Sequence, residues 1–325
     1  MNKRIEWIDM CKGIGIVAMV CGHIGIPSVI DTYIHAWHMP IFFILSGFLF
    51  KEYEYKEFFF KKIKSLIIPY INFACILYMF SLFRNFILKD TNLIKQLIDI
   101  FTFNTIGDLP FGNSIWFLTC MFFVETIFMI LKKFLNKELY MGISILVFSI
   151  LGYVLSYYEV TLIWGVGSAF MAMIFYYFGY LLRKYYVYMK NIKLKLILIV
   201  ALLIFSTILV SFNGYVNMRV LKYGNFLLFY INAILTSLTI IILAIYIEKR
   251  NILIIVRKIL YYIGKNSLVF LGFNQLVIYL VNLVIKNIIN NNAICSILTL
   301  IITLLLLGYS TKIINKRFKF LLGKF

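Results

Sequence analysis

The sequence predicts an all-α fold: a polytopic transmembrane helical bundle of about ten spans with both termini in the cytoplasm. Three observations predict it. Hydrophobic residues make up 63% of the chain and charged residues 14%, far too little charge to clothe a water-facing protein of this size. Apolar runs near twenty residues recur along nearly the whole length, each long enough to cross the roughly 30 Å hydrocarbon core as a helix. They do not alternate polar with apolar, as barrel strands would. Lys and Arg alternate with these runs, so an N-terminus placed inside collects 25 of the 32 basic residues on inner segments and leaves six outside. The remaining one, Lys12, lies within the first run.

In chain order the spans are expected at about 8–28, 37–50, 66–88, 114–132, 140–157, 161–182, 194–212, 225–247, 266–286 and 293–312. The first is rich in glycine, with Gly13, Gly15, Gly22 and Gly25 as points where neighbouring backbones approach closely. The second is short and either tilts or stops inside the protein. The third follows the basic run Lys61-Lys62-Ile63-Lys64. The outer loop 89–113 is the longest and is expected to act as a lid, with a short surface helix at 93–101 and Asp108 and Asn113 flanking it. Residues 251–263 are amphipathic and are expected along the membrane interface. No soluble domain and no repeat is evident, so 1–325 reads as a single integral-membrane domain. No small-residue cleavage site follows the first run, so it is not expected to be a cleaved signal.

The net charge of +19 does not point to nucleic acid, because the basic residues are spaced between spans. Cys11, Cys21, Cys75, Cys120 and Cys295 sit singly in or beside apolar runs, with neither metal-ligand spacing nor a disulfide framework. No metal and no permanently bound cofactor is expected.

Chemistry concentrates near the N-terminus. All three histidines, His23, His35 and His38, fall within sixteen residues. Ionisable groups inside a span are costly and mark sites by default. With the first span taken as one helix, Lys12 and His23 lie about 20° apart on one face, separated by a rise of about 16 Å. Asp9 joins the same stripe. An imidazole there suits a general base, since it titrates near working pH. A cation some 16 Å nearer the cytoplasm suits a phosphate, and an extended acyl-CoA spans that distance. The bland alternative makes His23 a packing residue and lets Lys12 snorkel to the interface. Glu125 is the one acid deep in a later span.

Five blocks carry a family resemblance. They are Trp7-Ile8-Asp9-Met10-Cys11-Lys12-Gly13 with Gly22-His23, then Trp37-His38-Met39-Pro40-Ile41-Phe42-Phe43-Ile44-Leu45-Ser46-Gly47-Phe48. Lys61-Lys62-Ile63-Lys64 ending in Ile68-Pro69-Tyr70 follows, then Ile115-Trp116-Phe117-Leu118, and Ile263-Gly264-Lys265-Asn266-Ser267-Leu268. In this order they resemble the acyltransferase-3 family of integral-membrane acyltransferases, most closely its branch similar to fucose 4-O-acetylases and surface-polysaccharide acetyltransferases. The resemblance implies transfer of an acyl group, usually acetyl, from cytoplasmic acyl-CoA to a sugar hydroxyl on a surface polysaccharide or lipid-linked glycan, in a bacterial cell membrane.

On that resemblance His23 matches the family histidine and is expected to be catalytic. Lys12 stands where many members have arginine, and Asp9, Lys12, Lys61, Lys62 and Lys64 form the expected donor-binding set. The family's paired arginines fall on Lys62 and Ser65. A glutamate common five residues after the fourth-block tryptophan is replaced by Met121, leaving Glu125, one turn on, as the second catalytic candidate. A histidine common seven residues after Ser267 is replaced by Asn274. His38, Trp116 and Asn274 are expected at the acceptor. A transporter of lipid-linked or acylated sugars is the main rival; it would spread polar residues over both halves and carry an internal repeat.

Overall fold

With lipid as the surrounding medium, backbone polar groups must be satisfied within each segment, and the chain folds accordingly. The computed structural model describes residues 5–88, 92–102, 104, 111–112, 114–191, 196–250, 253–289 and 291–324. Among them there is no strand, only an isolated bridge between Asn217 and Lys222. The helices are α1 (Glu6–Cys21), α2 (Ser28–His35), α3 (Pro40–Phe48), α4 (Tyr55–Lys62) and α5 (Ile68–Leu88). There follow α6 (Leu93–Phe101), α7 (Trp116–Phe134), α8 (Glu138–Tyr157), α9 (Val166–Asn191) and α10 (Leu196–Asn213). The described chain closes with α11 (Phe226–Arg250), α12 (Ile254–Lys265), α13 (Ser267–Ile285) and α14 (Asn292–Arg317).

Among the described residues, six helical stretches are long and apolar enough to cross a membrane: Tyr55–Phe86, Glu138–Tyr157, Ile163–Tyr186, Phe226–Arg250, Ser267–Ile285 and Asn292–Arg317. The other four expected spans fall on α1, α3, α7 and α10. Of these, α1 has 16 residues and α3 nine, so α3 rises only about 14 Å and does not cross a bilayer alone. α7 carries Glu125, Lys132 and Lys133 within its 19 residues.

The first expected span is cut short. α1 ends at Cys21, Gly25 takes φ 77, and Pro27 leads into α2. A left-handed residue is open to glycine at little cost, and proline has no N–H to continue a helix. His23 therefore sits in a turn beyond the helix, not on the helical face with Lys12. α4 and α5 form one continuous helix through a π-helical segment, Ile63–Ile67. Such widened turns recur at functional sites.

The helix expected at 93–101 is α6, with Asn92 accepting from the Lys95 N–H at 3.0 Å. Its faces are inverted relative to a water-soluble surface helix. Gln96, Asp99 and Ile100 are buried, while Ile94, Leu97, Ile98 and Phe101 are exposed. Gln96 accepts from the Ser81 hydroxyl at 2.5 Å. An apolar outer face and a polar inner one is the arrangement that lipid favours. Asp108 and Asn113 lie outside the described residues.

The chain divides into two compact units. Unit 1 comprises Met1–Lys51, Ala172–Met218 and Lys222–Ser267. Glycines set its closest helix contacts. A side chain at Gly13 would run into the backbone of Leu260, and one at Gly264 into that of Asp9, so α1 and α12 pack backbone to backbone. α3 and α9 do the same reciprocally: Gly47 lies on the Tyr176 carbonyl and Gly179 on the Ile44 carbonyl. Small residues of this kind drive helix association in lipid. Glu6 and Arg257 add a bidentate pair, Nε–Oε1 2.5 Å and Nη2–Oε2 2.7 Å.

Unit 2 comprises Glu52–Met171, Arg219–Leu221 and Leu268–Phe325. Here the Tyr70 hydroxyl donates to the Ile100 carbonyl at 2.6 Å, and the Trp164 indole donates to the same carbonyl at 3.2 Å. The Trp164 N–H donates to the Thr102 carbonyl at 2.8 Å. Trp164 holds φ 51, uncommon for a bulky side chain. These bonds pin the end of α6.

Candidate active site

In unit 1 the polar groups of the first block are set along α1. Asp9 is buried at 3% exposure, against α12, and Lys12 follows half-buried. Cys11, beside Lys12, points its thiol at the Ile240 carbonyl of α11, 3.9 Å away. At the far end of α1 the three histidines come together. Gly22 lies so close to His35 that a Cβ there would sit 2.9 Å from the imidazole Cε1. The His35 and His38 rings meet edge to face at 4.9 Å. His23 and His35 both lie within electrostatic reach of His38.

Each ring has a local anchor. His38 Nδ1 contacts the Ile34 carbonyl at 2.9 Å, one helical turn back. His35 Nδ1 lies 3.0 Å from both the carbonyl and the carboxylate Oδ1 of Asp31. A neutral imidazole with Nδ1 donating leaves Nε2 as its acceptor, the form a base requires. The Tyr215 ring packs on His35 at 5.1 Å, and Lys222 Nζ lies 5.9 Å from the centre of that ring. Among the described residues no three His, Cys, Asp or Glu side chains group as metal ligands.

Unit 2 holds the other expected residues. Lys62 pairs with Glu125 at 2.8 Å, with the carboxylate side chain 7% exposed and the lysine 25%. Lys61 instead pairs with Glu57 at 2.8 Å on the surface and lies over Tyr53. Lys64 is exposed. The three lysines thus differ in setting: Lys62 is paired with a buried partner, while Lys61 and Lys64 lie exposed. Asn274 is buried and its amide is engaged, donating to the Ser114 hydroxyl at 3.0 Å and the Leu271 carbonyl at 2.7 Å. Trp116 opens α7 and is also buried, and its carbonyl accepts from Thr119 at 2.9 Å. Thr119 in turn accepts from the Asn104 amide at 2.9 Å. Trp116 and Asn274 are thus packed into the interior of this unit.

Sequence reading missed several participants. Asp31 was legible, standing four residues before His35 on what proves to be one short helix. Tyr215 had no signal, since 180 positions separate it from His35. The buried Trp37 indole N–H has no hydrogen-bond partner among the described residues; Trp37 opens the second block, of which only His38 is expected at the acceptor.

Long apolar helices, with a buried acid and a half-buried base early in the chain and a histidine cluster at a helix end, define the class: a multi-pass membrane protein with a polar site. The acyltransferase-3 family model, described as an acyltransferase domain, matches residues 5–312. The chain belongs to that family and is a membrane acyltransferase. No curated protein and no solved structure matches it.

Proposed function

We propose that the protein is an O-acyltransferase that moves an acyl group, acetyl in our reading, from cytoplasmic acyl-CoA to a sugar hydroxyl. The acceptor is a surface polysaccharide or lipid-linked glycan of a bacterial cell membrane, in keeping with the resemblance to the fucose 4-O-acetylase branch. One observation carries the reading: Lys12 lies on α1, His23 in the turn that ends it, and His35 at the end of α2 and His38 just after it stand beside that turn.

His23 Nε2 takes the proton of the acceptor hydroxyl as its oxygen attacks the thioester carbonyl carbon. The C–S bond then breaks, and the imidazolium returns the proton to the departing CoA sulfur. Direct transfer needs no acyl-enzyme. His38 orients the acceptor beside His23, and the Asp31–His35 pair fixes the neighbouring imidazole. Asp9 and Lys12 bind the donor, with Lys12 facing its phosphates. Lys61, Lys62 and Lys64 add positive charge for the donor, Glu125 serves as the second catalytic group, and Trp116 and Asn274 shape the acceptor side. We read 1–325 as one catalytic domain.

His23→Gln tests the base, because glutamine keeps hydrogen bonding without proton exchange. A positioned base contributes about 10²–10⁴-fold to rate, and the variant is expected to lose at least that much acyl transfer while binding CoA normally. Transfer to purified glycan is followed alongside a CoA titration. Near-normal turnover in His23→Gln would remove it from the mechanism.

A further inference from the structure

Buried hydroxyls on a helix ordinarily satisfy themselves by bonding back to a carbonyl three or four residues earlier. The buried Thr239 does so to Leu235 and the buried Thr311 to Leu307, each at 2.8 Å. Three side chains of α11 depart from that habit. Thr236 Oγ1, Ser237 Oγ and Asn232 Oδ1 have no hydrogen-bond partner among the described residues, yet all three residues are at most 1% exposed. Leaving buried polar atoms unpaired is costly and asks for a reason.

Their position supplies one. α1 and α11 run antiparallel: Glu6 and the Glu248 carbonyl share Arg257, and five residues along α1 Cys11 meets the Ile240 carbonyl. Moving on from Cys11 towards the histidines corresponds to moving from Ile240 towards Asn232. Ser237, Thr236 and Asn232 lie about 4.5, 6 and 12 Å beyond the Ile240 level. They therefore stand at depths between Lys12 and the histidine cluster. On the helical wheel Asn232, Thr236, Ile240, Ala233, Ala244 and Ser237 fall in this order within about 140°. That arc contains Ile240, whose backbone meets α1, and between Asn232 and Ser237 every residue within it (Asn232, Ala233, Thr236, Ser237) is small or polar.

We propose that Asn232, Thr236 and Ser237 form a hydrogen-bonding lane for the pantetheine arm of the acyl-CoA donor. The arm is a narrow chain bearing two amides and a hydroxyl, so it offers N–H donors and C=O acceptors at intervals to a row of hydroxyl and amide groups. A fatty chain would leave these atoms unpaired. A phosphate would want a cation beside them. The inference rests on the donor reading above and adds to it residues on a second helix that no motif marked.

The test uses the full chain in lipid nanodiscs, titrated with CoA and with adenosine 3′,5′-bisphosphate, which has no arm. Thr236→Val is isosteric and removes one unpartnered hydroxyl, Ser237→Ala removes another, and Asn232→Leu removes the unpartnered amide oxygen. Each is expected to weaken CoA binding about three- to tenfold, the worth of one neutral hydrogen bond, and to leave bisphosphate binding unchanged. Thr236→Ser keeps the hydroxyl and is expected to keep the affinity. Without ligand, Thr236→Val should melt at or above the wild-type temperature, since it relieves an unpaired buried group. CoA affinity unchanged in all three variants, or bisphosphate affinity falling in parallel, overturns the lane. Wild-type protein that binds neither compound defeats the donor reading itself.

Discussion

His23 stands two residues beyond the last turn of α1, and that placement sets how it can act. A side chain on a helix is held by its neighbours one turn away, whereas one in a glycine-flanked turn meets its substrate over a wider arc. Lys12, by contrast, is held on α1 beside Cys11, whose thiol meets α11. Lys12→Ala is expected to weaken CoA binding roughly ten- to hundredfold, the worth of a charge-assisted phosphate contact. Lys12→Arg should largely retain it, because the cation is what the phosphates need. Wild-type CoA affinity in Lys12→Ala would show that the phosphates sit elsewhere.

A second residue-scale question is the pair between Lys62 and Glu125. Removing one member leaves the other without its counter-charge in a water-poor setting, whereas replacing both by apolar residues of similar size is often neutral. Glu125→Gln is therefore expected to lower Tm, and Lys62→Met with Glu125→Leu to recover it. If Glu125 takes part in the reaction, the double variant regains stability without regaining acyl transfer. Recovery of both would make the pair purely structural.

At the scale of elements, the glycines of the motifs turn out to be contact points. Gly47 belongs to the second block, and its partner Gly179 lies on α9, where no block marked it. Gly179→Ala is expected to cost about 1–3 kcal/mol by forcing two backbones apart, read as a lower Tm in nanodiscs. An unchanged Tm would mean that α3 and α9 do not pack as described.

The α1–α12 contact adds a pH dependence. The hydrogen bonds from Arg257 hold the Glu6 carboxyl below its ordinary pKa, the guanidinium charge adds to them, and partial burial works against both. A depressed carboxylate contributes stability that is complete above its unfolded pKa, about 4.3, and that is lost as pH falls through the folded value. The Tm difference between wild type and Glu6→Gln should thus be widest near neutrality and shrink once the pH drops below about 4. A difference that stays constant down to pH 3 would rule out the ion pair as its source.

At the scale of the whole molecule, the division of basic residues predicts which loops share a side of the membrane. Reporter fusions at residues 100 and 190 should report opposite sides, with residue 190 in the cytoplasm. The same side for both would break the ten-span topology. α6 bears on this as the element that holds the first of those positions, with its apolar face outward and its Gln96 and Asp99 inward.

The sequence by itself determined the class of this protein. Composition and run length leave only helices in lipid, and the blocks around His23 and Trp37 point to the family that the match over residues 5–312 then established. These signals are local, written in the hydropathy and order of neighbouring residues. What only the tertiary structure decided is who meets whom. Lys62 with Glu125, Gly47 with Tyr176 and His35 with Tyr215 join positions from 63 to 180 residues apart. The end of α1 before His23 and the unpartnered polar row of α11 belong to the same category. The physical reason is that lipid is as apolar as the helices it surrounds. Hydrophobic patterning therefore says little about which face packs on which, and small residues, backbone approach and hydrogen bonds make that choice.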